Sequence, residues 1–241
     1  MAGERRTRIL TRLVGVAGAQ LETKRLCEVC AEVTGVSGAG IMIISGDVPQ
    51  GSACTTNEVS ALVEELQFDL GEGPCVDAYN EDRPVLEPDL AAPASPRWMG
   101  FTGPAVDAGV RAIFGFPLDV GAVRLGALNL YCDRPGSLTD DQHANALVMA
   151  DVAAHTLLMM QADAPPGRLA AELEIGSDFR SVVHQASGMV SAQLEISVGQ
   201  ALVRLRAYAF GNDRPLVGVA SEVVDRTLRF DARSGQNDAV A

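Results

Sequence analysis

Apolar residues recur at helical spacing across residues 9–33, and Gly38 and Gly40 then break the pattern ahead of a short apolar run from Ile41 to Ile44. The spacing predicts a helix feeding a buried strand. Residues 47–51 read as a turn. Thr55 and Glu58 then form a candidate capping box before Val59, Leu62, Val63 and Leu66, which repeat at i, i+3, i+4 and i+7 and predict a second helix. Residues 84–90 read as a short strand, and residues 93–109, rich in Pro and Gly, as irregular surface. Strict alternation follows in Val110, Ala112, Phe114, Phe116 and Leu118, and again in Val123, Leu125, Ala127, Asn129 and Tyr131. The pair predicts a β-hairpin turning at residues 119–122. Thr139 and Gln142 are spaced as a capping box for an apolar helix through Leu147, Val148, Val152 and Leu158 that runs to about residue 161.

The pattern changes at residues 162–177, where Pro165-Pro166 cannot continue a helix, and a domain boundary is expected there. Beyond it the periodicity is helical only. Val182, Val183, Ala186, Met189 and Val190 mark one helix; Ser197 with Gln200 caps a second, reaching about Phe210. Pro215 suits the first turn of a third, through Val219, Ala220, Val223, Val224 and Leu228. The fold class is therefore α+β: an N-terminal antiparallel sheet flanked by helices over residues 10–161, a linker over 162–177, and an all-α three-helix module over 178–230. Residues 231–241 are small and polar and are expected to be unstructured.

Composition supports two packed units, since 47% of the residues are apolar and 21% charged. No apolar stretch reaches the ~18 residues of a membrane span, and the N-terminal segment, with Arg12 inside its amphipathic pattern, is not expected to be a secretion leader. The five cysteines (27, 30, 54, 75 and 132) are odd in number and scattered, so no disulfide framework is expected and a reducing cytoplasm fits. Cys27-x-x-Cys30 lies in a helical pattern and reads as core rather than half a zinc site. The net charge of −12 at first argues against a nucleic-acid partner. Its distribution modifies that: residues 1–196 carry 13 basic against 26 acidic side chains, whereas Ser197 onward carries 6 against 5. The acid belongs to the first domain.

Catalytic chemistry is not legible. His143, His155 and His184 all lie in helical segments without ligand spacing, and Leu70-Gly-Glu-Gly-Pro-Cys75 lacks the Lys-Ser/Thr of a phosphate loop. Neither an enzyme, a metal site nor a cofactor is expected. Cys75 reads either as a buried structural thiol or as a redox or adduct-forming group, and Trp98 either lines a ligand pocket or fills a loop-covered hollow.

Two families are suggested by these residues. Leu70-Gly-Glu-Gly-Pro-Cys75, Arg83-Pro-Val-Leu-Glu-Pro-Asp-Leu90, Arg97-Trp98, Phe114-Gly-Phe-Pro-Leu118 and Gly126-Ala-Leu-Asn-Leu-Tyr131 together resemble GAF domains of actinobacterial sensory regulators. That resemblance implies a small-molecule pocket on one sheet face, here with Cys75 and Trp98, and a homodimer formed through the terminal helices. The tail resembles the ANTAR domain over residues 179–230 through Gln185-Ala-Ser-Gly-Met189, Ser197 with Ala201, Leu205-Arg206, Ala209 and Val219-Ala220. It implies binding to tandem hairpins in nascent RNA, which prevents transcription termination. Ser187 stands where many such domains carry Lys, which removes one expected phosphate contact.

At ~100° per residue, Val198, Ala201, Leu202, Leu205 and Ala209 share one helix face, with Arg206 on one flank and Arg204 and Tyr208 on the other. Guanidinium groups can hold phosphate in bidentate fashion and a phenol ring can stack on an unpaired base. The candidate RNA contacts are Arg204, Arg206, Tyr208, Gln185, Ser187 and Arg214. The expectation is a cytoplasmic, non-enzymatic, dimeric, signal-responsive RNA-binding regulator. The alternative is a dimerisation or protein-docking tail without RNA binding.

Overall fold

The computed structural model describes residues 2–14, 23–46, 48–93, 97–163 and 178–231. Most of the expected linker, residues 164–177, and nearly all of the expected tail, residues 232–241, lie outside the described residues.

The N-terminal unit contains α1 (Ala2–Val14), α2 (Thr23–Thr34), β1 (Gly38–Ser45), β2 (Val48–Thr55), α3 (Glu58–Leu70), α4 (Pro74–Glu81), β3 (Val85–Glu87), α5 (Met99–Asp107), β4 (Ala112–Val120), β5 (Val123–Cys132) and α6 (Asp140–Asp163). The strands form one antiparallel sheet in the order β2-β1-β5-β4-β3. Its two faces follow from the period of two along each strand. Ile41, Phe114, Phe116, Leu118, Leu128 and Leu130 pack with α1, α2 and α6; Met42, Ile113, Ala127 and Tyr131 face α3, α4 and α5.

Several local expectations change. Gly38 and Gly40 belong to β1, opposite Tyr131 and Asn129 of β5. Glycine is needed there for space: a Cβ on Gly40 would lie 2.5 Å from Glu64 Oε1, and one on Gly38 would overlap the Tyr131 ring. The expected turn at 47–51 leads directly into strand β2, which the sequence hides because its pairing with β1 is irregular and carries Pro49 and Gly51. The cap of α3 is Asn57, not Thr55; its side chain accepts from the Ser60 N–H at 2.9 Å, and Ser60 Oγ accepts from the Asn57 N–H at 2.9 Å. Residues 99–107 are helical rather than irregular, with Phe101 and Ala105 buried. Here the interior on one side and the Glu72 carboxylate at the helix start outweigh the Pro and Gly content.

The cysteine expectation is also corrected. Cys27 of α2 and Cys54 of β2 form a disulfide, their Cα atoms 6.1 Å apart, while Cys30, Cys75 and Cys132 are free thiols. The odd count and wide spacing concealed this pair because α2 and β2 meet only when the helix crosses the β1–β2 end of the sheet.

Three further helices follow: α7 (Asp178–Leu194), α8 (Val198–Gly211) and α9 (Leu216–Val224). Ser197 and Gln200 form the expected capping box on α8. Val183, Ala186, Val190, Ala201, Leu202, Leu205, Ala209, Val219, Ala220 and Val223 close a core among the three, finished by Leu228 and Phe230. That core is continuous with the α3 side of the sheet.

Candidate functional site: a buried polar cluster and the helix end beside it

Helix α3 places Ser60, Glu64 and Gln67 on one face, and all three are buried against the sheet. This is a polar stripe running beside the apolar stripe that marks the helix. Glu64 lies above Gly40, and Asn129, which faces Gly40 in the β1–β5 pairing, donates from Nδ2 to Glu64 Oε1 at 2.6 Å. Buried polar groups of this kind are costly unless bonded. Asn129 Oδ1 has no hydrogen-bond partner among the described residues.

The turn after α3 completes the cluster. Gly71 ends the helix in the left-handed conformation (φ 69°), its N–H donating to the Gln67 carbonyl. The Gln67 side chain accepts from the Cys75 N–H at 2.7 Å at the start of α4, and Gly73 gives it the room to do so. Cys75 is fully buried and its thiol donates to the Ala127 carbonyl at 3.7 Å. Burial pushes that thiol well above its ordinary pKa, Glu64 adds to the rise, and the Asn129 side chain opposes it. The thiol is therefore neutral, and a thiolate reaction is not built into the resting site.

Trp98, 7% exposed, is part of the same core. Its Nε1 donates to Asp77 of α4 at 2.8 Å, its ring meets Phe101 edge-on, and the Arg97 guanidinium covers it at 4.6 Å. Glu72 accepts from the Gly100 and Phe101 N–H groups at 2.6 and 2.9 Å. Trp98 and Glu72 thus tie α5 to the α3–α4 turn. Sequence reasoning named Cys75 and Trp98 but missed Glu64, Gln67 and Asn129. The available signal was the 60, 64, 67 spacing, which sets three polar residues on one face of the helix.

The tail candidates do not share one surface. Ser187 is fully buried in α7, its hydroxyl donating to the Val183 carbonyl at 2.8 Å, because its position faces the three-helix core. Arg206 points into the N-terminal unit: Nη2 donates to the Phe68 carbonyl, and the guanidinium lies 5.9 Å from the Phe68 ring. Burial lowers its pKa to about 10 despite the opposing charge of Asp69, and Nε has no hydrogen-bond partner among the described residues. Tyr208 is half-buried edge-on against Phe230, and Arg214 is paired with Glu222. Arg204 and Gln185 are exposed.

The family pattern of the GAF domain matches residues 23–157, more than half of the chain, taking in the whole of the sheet with α2–α5 and most of α6. The chain belongs to the GAF-domain family. Its role is accordingly in signal sensing and regulation. Among solved structures, the GAF domain of an Acinetobacter phosphoenolpyruvate-protein phosphotransferase is 11% identical over 67% of this chain and 96% of that chain, with a TM-score of 0.49. The free methionine-R-sulfoxide reductase of Neisseria meningitidis, in complex with its substrate, is 14% identical over 68% of this chain and 93% of that chain, with a TM-score of 0.49. A domain of a two-component sensor histidine kinase protein from Sinorhizobium meliloti is 17% identical over 57% of this chain and 89% of that chain, with a TM-score of 0.48. No curated protein matches the chain in sequence. Among the described residues, no helix is long and apolar enough to cross a membrane.

Proposed function

We propose that this GAF-domain protein is a signal-responsive, non-catalytic RNA-binding regulator whose ANTAR-like helices α7–α9 grip tandem hairpins in nascent transcripts and prevent termination. The observation that carries the reading is the solvent face of α8. Gln200, Val203, Arg204, Ala207 and Phe210 are exposed along one arc, with Phe210 70% and Val203 60% accessible. An aromatic ring and a guanidinium on one open helix face suit unstacked loop bases and the phosphates beside them. Gln185, exposed on α7, is a further polar group open to a ligand. Ser187, within the core, drops out of the contact set.

The signal enters at the Glu64–Gln67–Cys75–Asn129 cluster, where a small molecule bearing hydrogen-bond donors would satisfy Asn129 Oδ1. A homodimer would present two tails to two hairpins, and its avidity would depend on their spacing. A nascent transcript places this activity in the cytoplasm.

Filter binding of the full chain to a tandem-hairpin RNA tests the proposal. Binding that weakens with salt, and that falls at least tenfold in Arg204→Ala and in Phe210→Ala, is the expected result. Absence of salt-sensitive binding at low ionic strength would overturn it. A second reading, a tail that docks protein or a second copy, is favoured by the apolar character of Val203 and Phe210. Concentration-dependent association lost in Phe210→Ser, with no RNA bound, would select it.

A further inference from the structure

Two sides of one helical turn carry the two halves of this molecule. On the inner side of α3, the Gln67 side chain holds the Cys75 N–H, and so the start of α4, next to the buried Glu64–Asn129 pair. The next residue, Phe68, offers its carbonyl to Arg206 of α8. Gly71 then closes the helix, and its lack of a side chain is what admits Arg206: a Cβ there would lie 2.5 Å from Nη1 and 3.0 Å from Cζ. The guanidinium sits at the negative end of the helix dipole, with Asp69 favouring its charge. A second contact is formed by His184 of α7, whose ring meets Phe68 edge-on at 5.9 Å and whose Nε2 lies 3.4 Å from the Gln50 carbonyl of β2.

The seat is not a comfortable one for Arg206. The side chain is largely withdrawn from water, and its Nε finds no acceptor among the described residues. A cation removed from solvent with incomplete hydrogen bonding offsets much of what the contact contributes, so the docked arrangement is poised to release.

We infer that Arg206 is an autoinhibitory latch: seated on the last turn of α3, it holds α7–α9 against the sensor, and displacement of Gln67 from the buried polar cluster unseats it. The physical reason is continuity. Gln67 and Phe68 are consecutive residues of one helical turn capped by Gly71, so a shift that carries the Gln67 backbone with its side chain also moves the Phe68 carbonyl away from Nη2. While the latch is closed Arg206 is withdrawn from any external phosphate, and release adds a cation to the α8 surface. The gain in RNA binding rests on the function proposed above; the docking itself does not.

Hydrogen exchange on the full-length chain separates the two. Gly71→Ala crowds Arg206 out while leaving it in the sequence, and Asp69→Asn withdraws the charge that favours it. Both are expected to raise exchange in α8 and around Gln50 by at least tenfold, while β4 and β5 stay protected. Gln67→Ala, acting from the cluster side, is expected to do the same. Should Gly71→Ala loosen β4 and β5 as well, Asp69→Asn decides, since it alters no backbone geometry. Unchanged exchange in α8 for Asp69→Asn would overturn the latch, and release by the two seat variants without release by Gln67→Ala would overturn its coupling to the cluster. In filter binding, Gly71→Ala should hold tandem-hairpin RNA at least fivefold more tightly than the parent chain. Raised exchange with no RNA bound by any variant would leave the latch standing and remove the RNA reading instead.

Discussion

Asn129 of β5 donates its side-chain amide to Glu64 of α3 at 2.6 Å, with both residues excluded from water. The bond joins the central sheet to the helix that ends at the tail's docking seat. Removing the amide takes a hydrogen bond from a buried carboxylate, a loss larger than that of an exposed pair. Asn129→Ala is expected to lower unfolding stability by about 2–4 kcal/mol, measured by urea denaturation. A change below about 1 kcal/mol would show that the Glu64 carboxylate does not depend on this amide.

Gly115 lies where β4 passes under the start of α4, and a Cβ there would overlap the Pro74 carbonyl and lie 3.1 Å from the Ala78 Cβ. Backbone cannot yield as a long side chain can. Gly115→Ala is therefore expected to cost roughly 1–3 kcal/mol and to shift α4, and with it the amide of Cys75. A folded variant whose Cys75 and Gln67 resonances match the parent's would contradict this close approach.

The disulfide and the burial of the thiols make a counting prediction. Native protein at pH 8 should react slowly with a thiol reagent at Cys132, which is half-buried, while Cys30 and Cys75 stay silent because burial holds both thiols protonated. After unfolding without reductant three thiols should titrate, and all five cysteines after reduction. Five without reductant would exclude the Cys27–Cys54 bond.

Arg214 grips Glu222 through both terminal guanidinium nitrogens, Nη1 and Nη2, and this holds the Glu222 carboxyl below its ordinary range. A depressed carboxyl contributes stability that is present above the ordinary carboxylate pKa and is lost as the pH falls through the folded value. Arg214→Ala should move the Glu222 carboxyl resonance back toward an ordinary titration and flatten that acid dependence of the tail helices. An unchanged Glu222 titration would mean the pair does not form in solution.

How much of this was readable from the chain differs element by element. Alternation in residues 110–131, the caps at Thr139 and Ser197 and the helical spacing of α3 and α7–α9 are local properties, set by side-chain period and by the first-turn N–H groups each cap satisfies. Strand β2 and helices α4 and α5 were hidden because the groups that fix them, β1, Gln67 and Glu72, are distant in sequence or across a turn.

The sequence by itself determined the sheet-forming hairpin, the all-helical tail and the apolar stripe on α8, since each needs only neighbours within a few residues. Only the tertiary structure decided that Glu64 would lie over Gly40 beside Asn129, that Cys27 would reach Cys54, and that Arg206 would turn from water to the end of α3. Those outcomes depend on which surfaces come within a few ångströms once the chain is packed. Periodicity gives the face a side chain occupies, not what the fold brings against it.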